Sequence, residues 1–196
     1  MQNDHVVFIM GMPGSGKTTF AQALSNRLHA VPVINSDLVK CIAACHSDNP
    51  YLREVSHSAW KLEGPYSDEQ VITGYRRFSE VLFAECYRVV QLMLNTYRVV
   101  IVEGMGVSPW CIEGLPESSS RIFLTNRNRD QAYHDKLTVR KSRENQWMQR
   151  QTTLTIIEQA MIDRCHELGD VVFGDIEHQD DLVSVMVDQI GQILGQ

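Results

Sequence analysis

Residues Gly11-Met12-Pro13-Gly14-Ser15-Gly16-Lys17-Thr18 fill the pattern GxxxxGK[ST], and what flanks them restricts the possible folds more than any other feature of the 196-residue chain. Before the pattern, His5 to Met10 reads His-Val-Val-Phe-Ile-Met, a β-rich apolar run of the kind that forms a buried parallel strand. After it, Phe20, Leu24 and Leu28 recur at helical spacing. A strand therefore feeds a glycine-rich loop that opens a helix, which is the context that gives the pattern its meaning. Glycines let the backbone curl so that its N–H groups face a phosphate, and the helix N-terminus adds a favourable dipole. Nucleotide phosphates are expected on Gly11, Gly14, Ser15, Gly16, Lys17, Thr18 and Thr19. Lys17 is expected to reach the β- and γ-phosphates, and Thr18 to bind Mg²⁺.

The rest of the chain repeats the alternation. Further strands are predicted at Val31 to Asn35, Arg98 to Gly104, Ile122 to Thr125 and Val171 to Gly174. Between them, Ser67-Asp68-Glu69-Gln70 reads as a capping box that starts a long helix. Its apolar stripe is Val71, Tyr75, Phe78, Leu82, Cys86, Val89 and Met93. Leu154, Ile157, Met161, Cys165 and Leu168 form a second stripe, and Leu182, Met186, Ile190 and Ile193 a third. Strands alternating with helices imply an α/β fold with a parallel sheet covered on both faces. Glu113 to Ser120 is the clearest loop.

Length and composition narrow the setting. A chain of this size fits one domain, residues 1–196, and can bury a sheet without disulfides or structural metals. No signal-peptide pattern or 18-residue apolar run occurs, so a cytoplasmic location is expected. The formal charge of −6 argues against nucleic-acid or membrane-surface partners. An anionic ligand would then need a local cluster of cations. The five cysteines are odd in number and lack CxxC spacing, which suggests neither a disulfide framework nor a zinc ribbon, and Cys41, Cys45 and His46 make only a weak metal pattern.

Two acids end predicted strands. Asp37 follows the second strand, with Lys40 a helical turn later, and should face the phosphate loop across the crevice shared by adjacent strand ends. A carboxylate there can take a hydroxyl proton, orient a nucleophile or help hold Mg²⁺. The plainer alternative is that Ser36 or Asp37 caps the next helix. Glu103 ends the third strand, on the metal side of the crevice or as an anchor for a nearby loop. After the fourth strand come Arg127, Arg129, His134, Lys136, Arg140, Lys141, Arg143 and Arg150, the densest positive stretch in the chain. Arg140 and Arg143 share a helix face and suit a lid over residues 127–150 that closes on a transferring phosphoryl group. A solvated face is the alternative for such a run.

Taken in order, these elements resemble the 2-phosphoglycerate kinase family of P-loop kinases. The likeness rests on GMPGSGKT, Asn35-Ser-Asp37-Leu-Val-Lys40, Ser56-His57-Ser-Ala-Trp60, Val71-Ile-Thr-Gly74-Tyr75, Ile101-Val-Glu103-Gly104 and His134-Asp-Lys-Leu-Thr-Val-Arg140. It implies a kinase of the nucleoside-monophosphate-kinase type, with a five-stranded parallel sheet, ATP and Mg²⁺ as cofactors, and a phosphorylated hydroxy acid as acceptor. By that resemblance Asp37 and Glu103 are the acids after the second and third strands and Arg140 is the lid arginine. Asp135 and Lys136-Leu137 depart from the family's pattern. The insert, residues 38–97, would bind the acceptor, and Lys40, Arg53, Lys61, Arg76 and Arg77 are candidates to hold an anion there, with His57 and Trp60 nearby in sequence. Other acceptors fit the same chemistry: a nucleotide sugar, as for a zeta-toxin-like kinase, a sugar, or a mevalonate phosphate. From a different class comes a nucleotide-dependent switch, although no Asn/Thr-Lys-x-Asp guanine-reading motif is present.

Overall fold

A computed structural model describes residues 4–115, 118–126 and 147–195, with the backbone alone at 147–149. Five parallel strands form one sheet: β1 (His5–Gly11), β2 (Val33–Asn35), β3 (Val99–Glu103), β4 (Ser119–Thr125) and β5 (Val171–Asp175), in the order β2-β3-β1-β4-β5. Every residue of β1 is buried, as a central strand covered on both faces must be. Its side chains divide by the period of two. Val7 and Ile9 face α1 (Lys17–Arg27) and the last helix, α7 (Gln179–Gly195), through Phe20, Leu24, Met186 and Ile190. Val6, Phe8 and Met10 face α4 (Asp68–Leu94) and α6 (Trp147–Leu168) through Phe78, Leu82, Ile157 and Met161. A one-residue slip would carry Phe8 from one layer to the other, so the apolar pattern fixes the register.

That register aligns the carboxyl ends of the strands. Ile9 and Asn35 both lie opposite Glu103, and Gly11 lies opposite Leu124. The loops that follow β1, β2, β3 and β4 therefore open on one edge of the sheet.

Between β2 and β3 the chain forms α2 (Ser36–His46), α3 (Pro50–Arg53), a 3₁₀ segment (Ser56–Leu62) and α4. Ser67 caps α4 by accepting from the Gln70 amide at 3.2 Å, as the capping box predicts. Within α4, Gly74 lies against the 3₁₀ segment: a Cβ there would come 2.5 Å from the Trp60 amide nitrogen. Only glycine lets the two backbones approach so closely, and this contact holds the segment of His57, Trp60 and Lys61 against α4.

Three boundaries differ from the sequence pattern. β2 spans three residues because Pro32 has no N–H and gives the ladder only its carbonyl, accepting from the Ile101 amide at 3.0 Å. β4 begins at Ser119, inside the stretch read as loop, because its polar residues have partners. Ser120 meets the buried His5 ring at 2.9 Å, and Arg121 donates to Asp170 at 2.6 Å. The segment from Glu113 also follows a short helix, α5 (Pro109–Ile112).

Candidate active site

The open edge of the sheet carries a crevice of about 530 Å³, within the size range of small-molecule sites. One wall is the loop from Pro13 to Thr18; Asn35, Asp37 and Lys40 come from the β2–α2 junction; Glu103, Gly104 and Met105 close the floor. Val55, Ser56, His57 and Phe78 form the far side, with Arg150 from the start of α6.

The loop has the geometry its glycines predict. Gly11, Gly14 and Gly16 all have positive φ, and Gly16 sits at the α1 N-cap, where a Cβ would strike Ile176 at 2.5 Å. Lys17 folds back over the loop and donates from Nζ to the Met12 carbonyl at 2.8 Å, keeping its charge beside the loop amides. Asn126, at the end of β4, donates from Nδ2 to the Gly14 carbonyl at 2.9 Å and braces the loop from the adjoining strand. Thr19 lies on the exposed side of α1, where its carbonyl accepts from Gln179.

Thr18 and Glu103 meet. The Thr18 hydroxyl donates to Glu103 Oε1 at 3.2 Å, and the same oxygen accepts from Asn35 Nδ2. Glu103 is buried, so these donors compensate a desolvated carboxylate. A threonine hydroxyl beside a carboxylate is a pair of hard oxygen donors, which fits Mg²⁺ as a cation that takes few protein ligands and completes its shell with water and phosphate oxygens. Glu103 also has an anchoring role, because through Asn35 it holds the start of α2.

At the β2–α2 junction the structure assigns the cap to neither Ser36 nor Asp37. Asn35 is the N-cap and accepts from the Leu38 amide at 3.0 Å. Ser36 is buried and accepts from the Gly106 amide at 3.1 Å, tying α2 to the loop after β3. Asp37 is left exposed on the crevice wall with no capping duty, and Lys40 lies a turn further along the same wall.

The predicted anion-binding arginines do not join this site. Arg53 pairs with Asp48 at 2.6 Å, Arg76 with Glu80 at 2.8 Å and Arg77 with Glu63 at 2.9 Å, and none of the three lines the crevice. Helix geometry gives the reason. With Val71, Gly74, Tyr75 and Phe78 turned into the core, residues 76 and 77 point around the helix to where acidic partners wait. The cations that do line the crevice are Lys17, Lys40 and Arg150, with His57 among them. His57 has its pKa pushed down to about 4, first by burial and then by the charges of Arg150, Lys61 and Lys40. Arg127, Arg129, His134, Lys136, Arg140, Lys141 and Arg143, and with them most of the predicted lid, lie outside the described residues.

Among the cysteines, Cys41 lines the crevice and Cys45 is exposed one turn beyond it. Cys86 and Cys165 are buried, which pushes each thiol up to about 12, and burial raises Cys111 as well. Those three are packing residues rather than nucleophiles. No helix among the described residues is long and apolar enough to cross a membrane.

Sequence reasoning singled out Lys17, Thr18, Asp37 and Glu103 but not Asn35 as cap or Asn126 as brace. Both are polar residues at the carboxyl end of a strand, and that position is the signal that could have found them.

No family model matches the chain. Among curated proteins it is similar to 2-phosphoglycerate kinase of Methanopyrus kandleri, 32% identical over 112 residues, covering 55% of this chain and 34% of the relative. It is also similar to mevalonate-3-phosphate 5-kinase of Thermoplasma acidophilum, 24% identical over 142 residues, covering 72% and 67%. The chain thus spans about a third of the length of the first relative and two thirds of the second. Among solved structures, shikimate kinase of Bacteroides thetaiotaomicron superimposes with a TM-score of 0.53 at 17% identity, covering 98% of this chain and 99% of that one. The fold is that of the P-loop kinases.

Proposed function

We propose that the chain is an ATP- and Mg²⁺-dependent kinase that transfers the γ-phosphoryl group to a hydroxyl of a small anionic metabolite, with 2-phosphoglycerate as the first acceptor to test. The observation that carries this reading is the convergence of Lys17, Thr18, Glu103 and Asp37 on one crevice at the carboxyl ends of β1, β2 and β3. A phosphate cradle alone serves many purposes. A carboxylate across the crevice, with no helix cap to make, adds a base for the hydroxyl of an acceptor.

Each residue then has a task. Loop amides and Lys17 hold the phosphates, Lys17 exchanging the Met12 carbonyl for a phosphate oxygen. Thr18 and Glu103 would hold Mg²⁺, which when bound neutralises phosphate charge and orients the γ-phosphoryl group. Asp37 accepts the proton of the acceptor hydroxyl. The acceptor oxygen bonds to the γ-phosphorus as the bond to the β–γ bridging oxygen breaks, and ADP leaves with that electron pair. Arg140 and Arg143, on a lid over about 127–150, would neutralise the migrating charge. The whole would act as a single domain.

A second acceptor is favoured by a specific observation. The match spans 67% of mevalonate-3-phosphate 5-kinase against 34% of 2-phosphoglycerate kinase. The two acceptors named there share a hydroxyl, a phosphate and a carboxylate, so the acceptor class is the same.

The test is ATP consumption by wild type and Lys17→Ala against 2-phosphoglycerate, its 3-phosphate isomer, glycerate, mevalonate phosphates, shikimate and neutral sugars. Turnover with one of the phosphorylated acids, reduced at least about a thousandfold in Lys17→Ala with the melting curve retained, is expected. ATP binding without acceptor-dependent turnover across the panel would remove the kinase reading.

A further inference from the structure

A side recess of about 110 Å³ opens from the acceptor end of the crevice, and the two cavities share His57, Arg150 and Val55 as their divide. Beyond the divide the recess is lined by Lys61, Trp60, Ser58 and Thr153. At about 30 Å³ per water it has room for three or four waters, or for one oxyanion group. Arg53, Arg76, Arg77, Arg88, Arg121 and Arg164 are each paired with a carboxylate. Lys40, Lys61 and Arg150, the cations gathered around His57, have no carboxylate partner among the described residues. Arg27 and Arg98, both exposed, also lack a carboxylate partner among the described residues, but here three such cations gather at one point. Lys40 and Lys61 lie instead near aromatic rings, Lys40 5.7 Å from the centroid of Phe78 and Lys61 5.9 Å from that of Trp60. Arg150 buries its Nε with no hydrogen-bond partner.

Unpaired cations drawn together at a half-buried point repel one another and cost stability in a chain with carboxylates to spare. Such an arrangement is relieved by an anion. The recess offers one a guanidinium fork, an ammonium and an imidazole, with the Trp60 ring as an apolar wall.

We propose that this recess is an anion subsite, in which Arg150, Lys61 and His57 hold a phosphate or carboxylate of the acceptor while its hydroxyl lies in the main crevice with Asp37. The proposal rests on the kinase reading for the acceptor's role but not for the anion's binding. Of the cations expected to hold the anion it keeps Lys61, and it puts His57 of the same 3₁₀ segment and Arg150 of α6 in place of the exposed Arg53, Arg76 and Arg77. It also narrows the substrate class: the anionic group sits off the reaction line, so a neutral sugar leaves the recess unfilled and its cations unrelieved. His57 is the natural reporter, because among the described residues the charged groups acting on it, Arg150 on α6, Lys61 on its own segment and Lys40 on α2, are all cations that a bound anion would offset.

The experiment keeps the phosphate loop filled with saturating Mg-ADP and titrates inorganic phosphate, and separately acetate, while the His57 ring is followed by NMR. A saturable shift of the His57 signals and a rise of its pKa by at least one unit are expected. Lys61→Met should weaken that response about tenfold, and Lys61→Glu should abolish it. Lys61 is exposed, so both variants should fold. The stronger of the phosphate and acetate responses names the group. No response at His57 to either anion, or a response undiminished in Lys61→Met and Lys61→Glu, overturns the proposal. A response at His57 in a protein that turns over none of the acceptors leaves the subsite standing and sinks the kinase reading. Turnover of a phosphorylated acid with a KM unchanged by Lys61→Met does the reverse.

Discussion

At the end of the crevice proposed to hold the nucleotide, the side chains sit on or just after strand ends: Lys17 and Thr18 follow β1, Asp37 follows β2, Glu103 closes β3 and Asn126 follows β4. At the proposed acceptor end they come from α2, the 3₁₀ segment and α6, elements up to 110 residues apart by the numbers of Lys40 and Arg150, and no shared ladder aligns them. The sheet register fixes the first set to within the tolerance of a hydrogen bond. The second set depends on how helices pack, above all on the contact of Gly74 with Trp60. The contrast suggests that the nucleotide end is the less tolerant of chemical change and the acceptor end the less tolerant of changes in packing.

The sharpest way to break that comparison is at Asp37. Asp37→Asn should lower kcat by about 10²- to 10⁴-fold while leaving ATP affinity within severalfold, because a general base acts mainly in the transition state. Its melting temperature should move little, since the cap of α2 is Asn35 and Asp37 adds only its charge to the first turn of the helix. Asn35→Ala is the complement, losing about 1 kcal/mol with the cap and more with the amide donor to buried Glu103. Should Asp37→Asn keep kcat and lose stability instead, Asp37 would be structural and the two junction residues would exchange roles.

The next largest effect tests the other end. Gly74→Ala sets a methyl 2.5 Å from the Trp60 amide nitrogen, which is backbone and cannot swing aside. Shifting the 3₁₀ segment should cost about 1–3 kcal/mol, as overpacking does, and raise the KM for the acceptor while nucleotide affinity stays unchanged. Equal losses in both affinities would mean that the crevice responds as one body.

The same contrast governs what the sequence revealed. GxxxxGK[ST] between a strand and a helix is a local pattern whose geometry follows from its own residues, so the loop, Lys17 and Thr18 were legible, as were the sheet and the long helix with its Ser67 cap. Strand-end position was enough to place Asp37 and Glu103 on the crevice. Charge type was not enough for Arg53, Arg76 and Arg77, because whether a cation is available depends on whether Asp48, Glu80 or Glu63 reaches it first, and that is set by tertiary packing. The three cations near His57, which have no carboxylate partner among the described residues, come from distant stretches of chain, and nothing local in the sequence groups Lys40 with Arg150.

His57 gives the comparison a pH dependence. Its folded pKa of about 4 lies below the ordinary value near 6.5, so as pH falls the unfolded chain takes up this proton first. The stability tied to neutral His57 is fully present above about pH 6.5 and is lost as pH falls toward 4, on the order of 3 kcal/mol at most for a shift of that size. His57→Gln should lose less stability than wild type over that window, and the two denaturation curves should run parallel above it. Identical acid profiles would mean that His57 is not held neutral by burial and the cations around it.

The smallest effects are expected at the arginines the sequence favoured, and the two neighbours on α4 should differ from each other. Arg76 pairs with Glu80 across one turn, both side chains well exposed, and such pairs contribute little. Arg76→Ala should stay within about 0.5 kcal/mol of wild type, with kcat/KM for a phosphorylated acceptor within twofold. Arg77 meets a different partner. Glu63 is only 6% exposed and also accepts from the Tyr51 hydroxyl, so Arg77 ties α4 to the chain after the 3₁₀ segment and to α3. Arg77→Ala leaves a buried carboxylate short of its cation and should lower the melting temperature measurably, while Arg77→Lys restores part of the loss. Because Arg77 does not line the crevice, its loss should reach the acceptor only through the packing of the 3₁₀ segment, as a modest rise in KM at unchanged kcat. A large loss of acceptor binding in Arg76→Ala, whose side chain braces nothing but Glu80, would return the anion site to the outer face of α4 and away from the recess at His57.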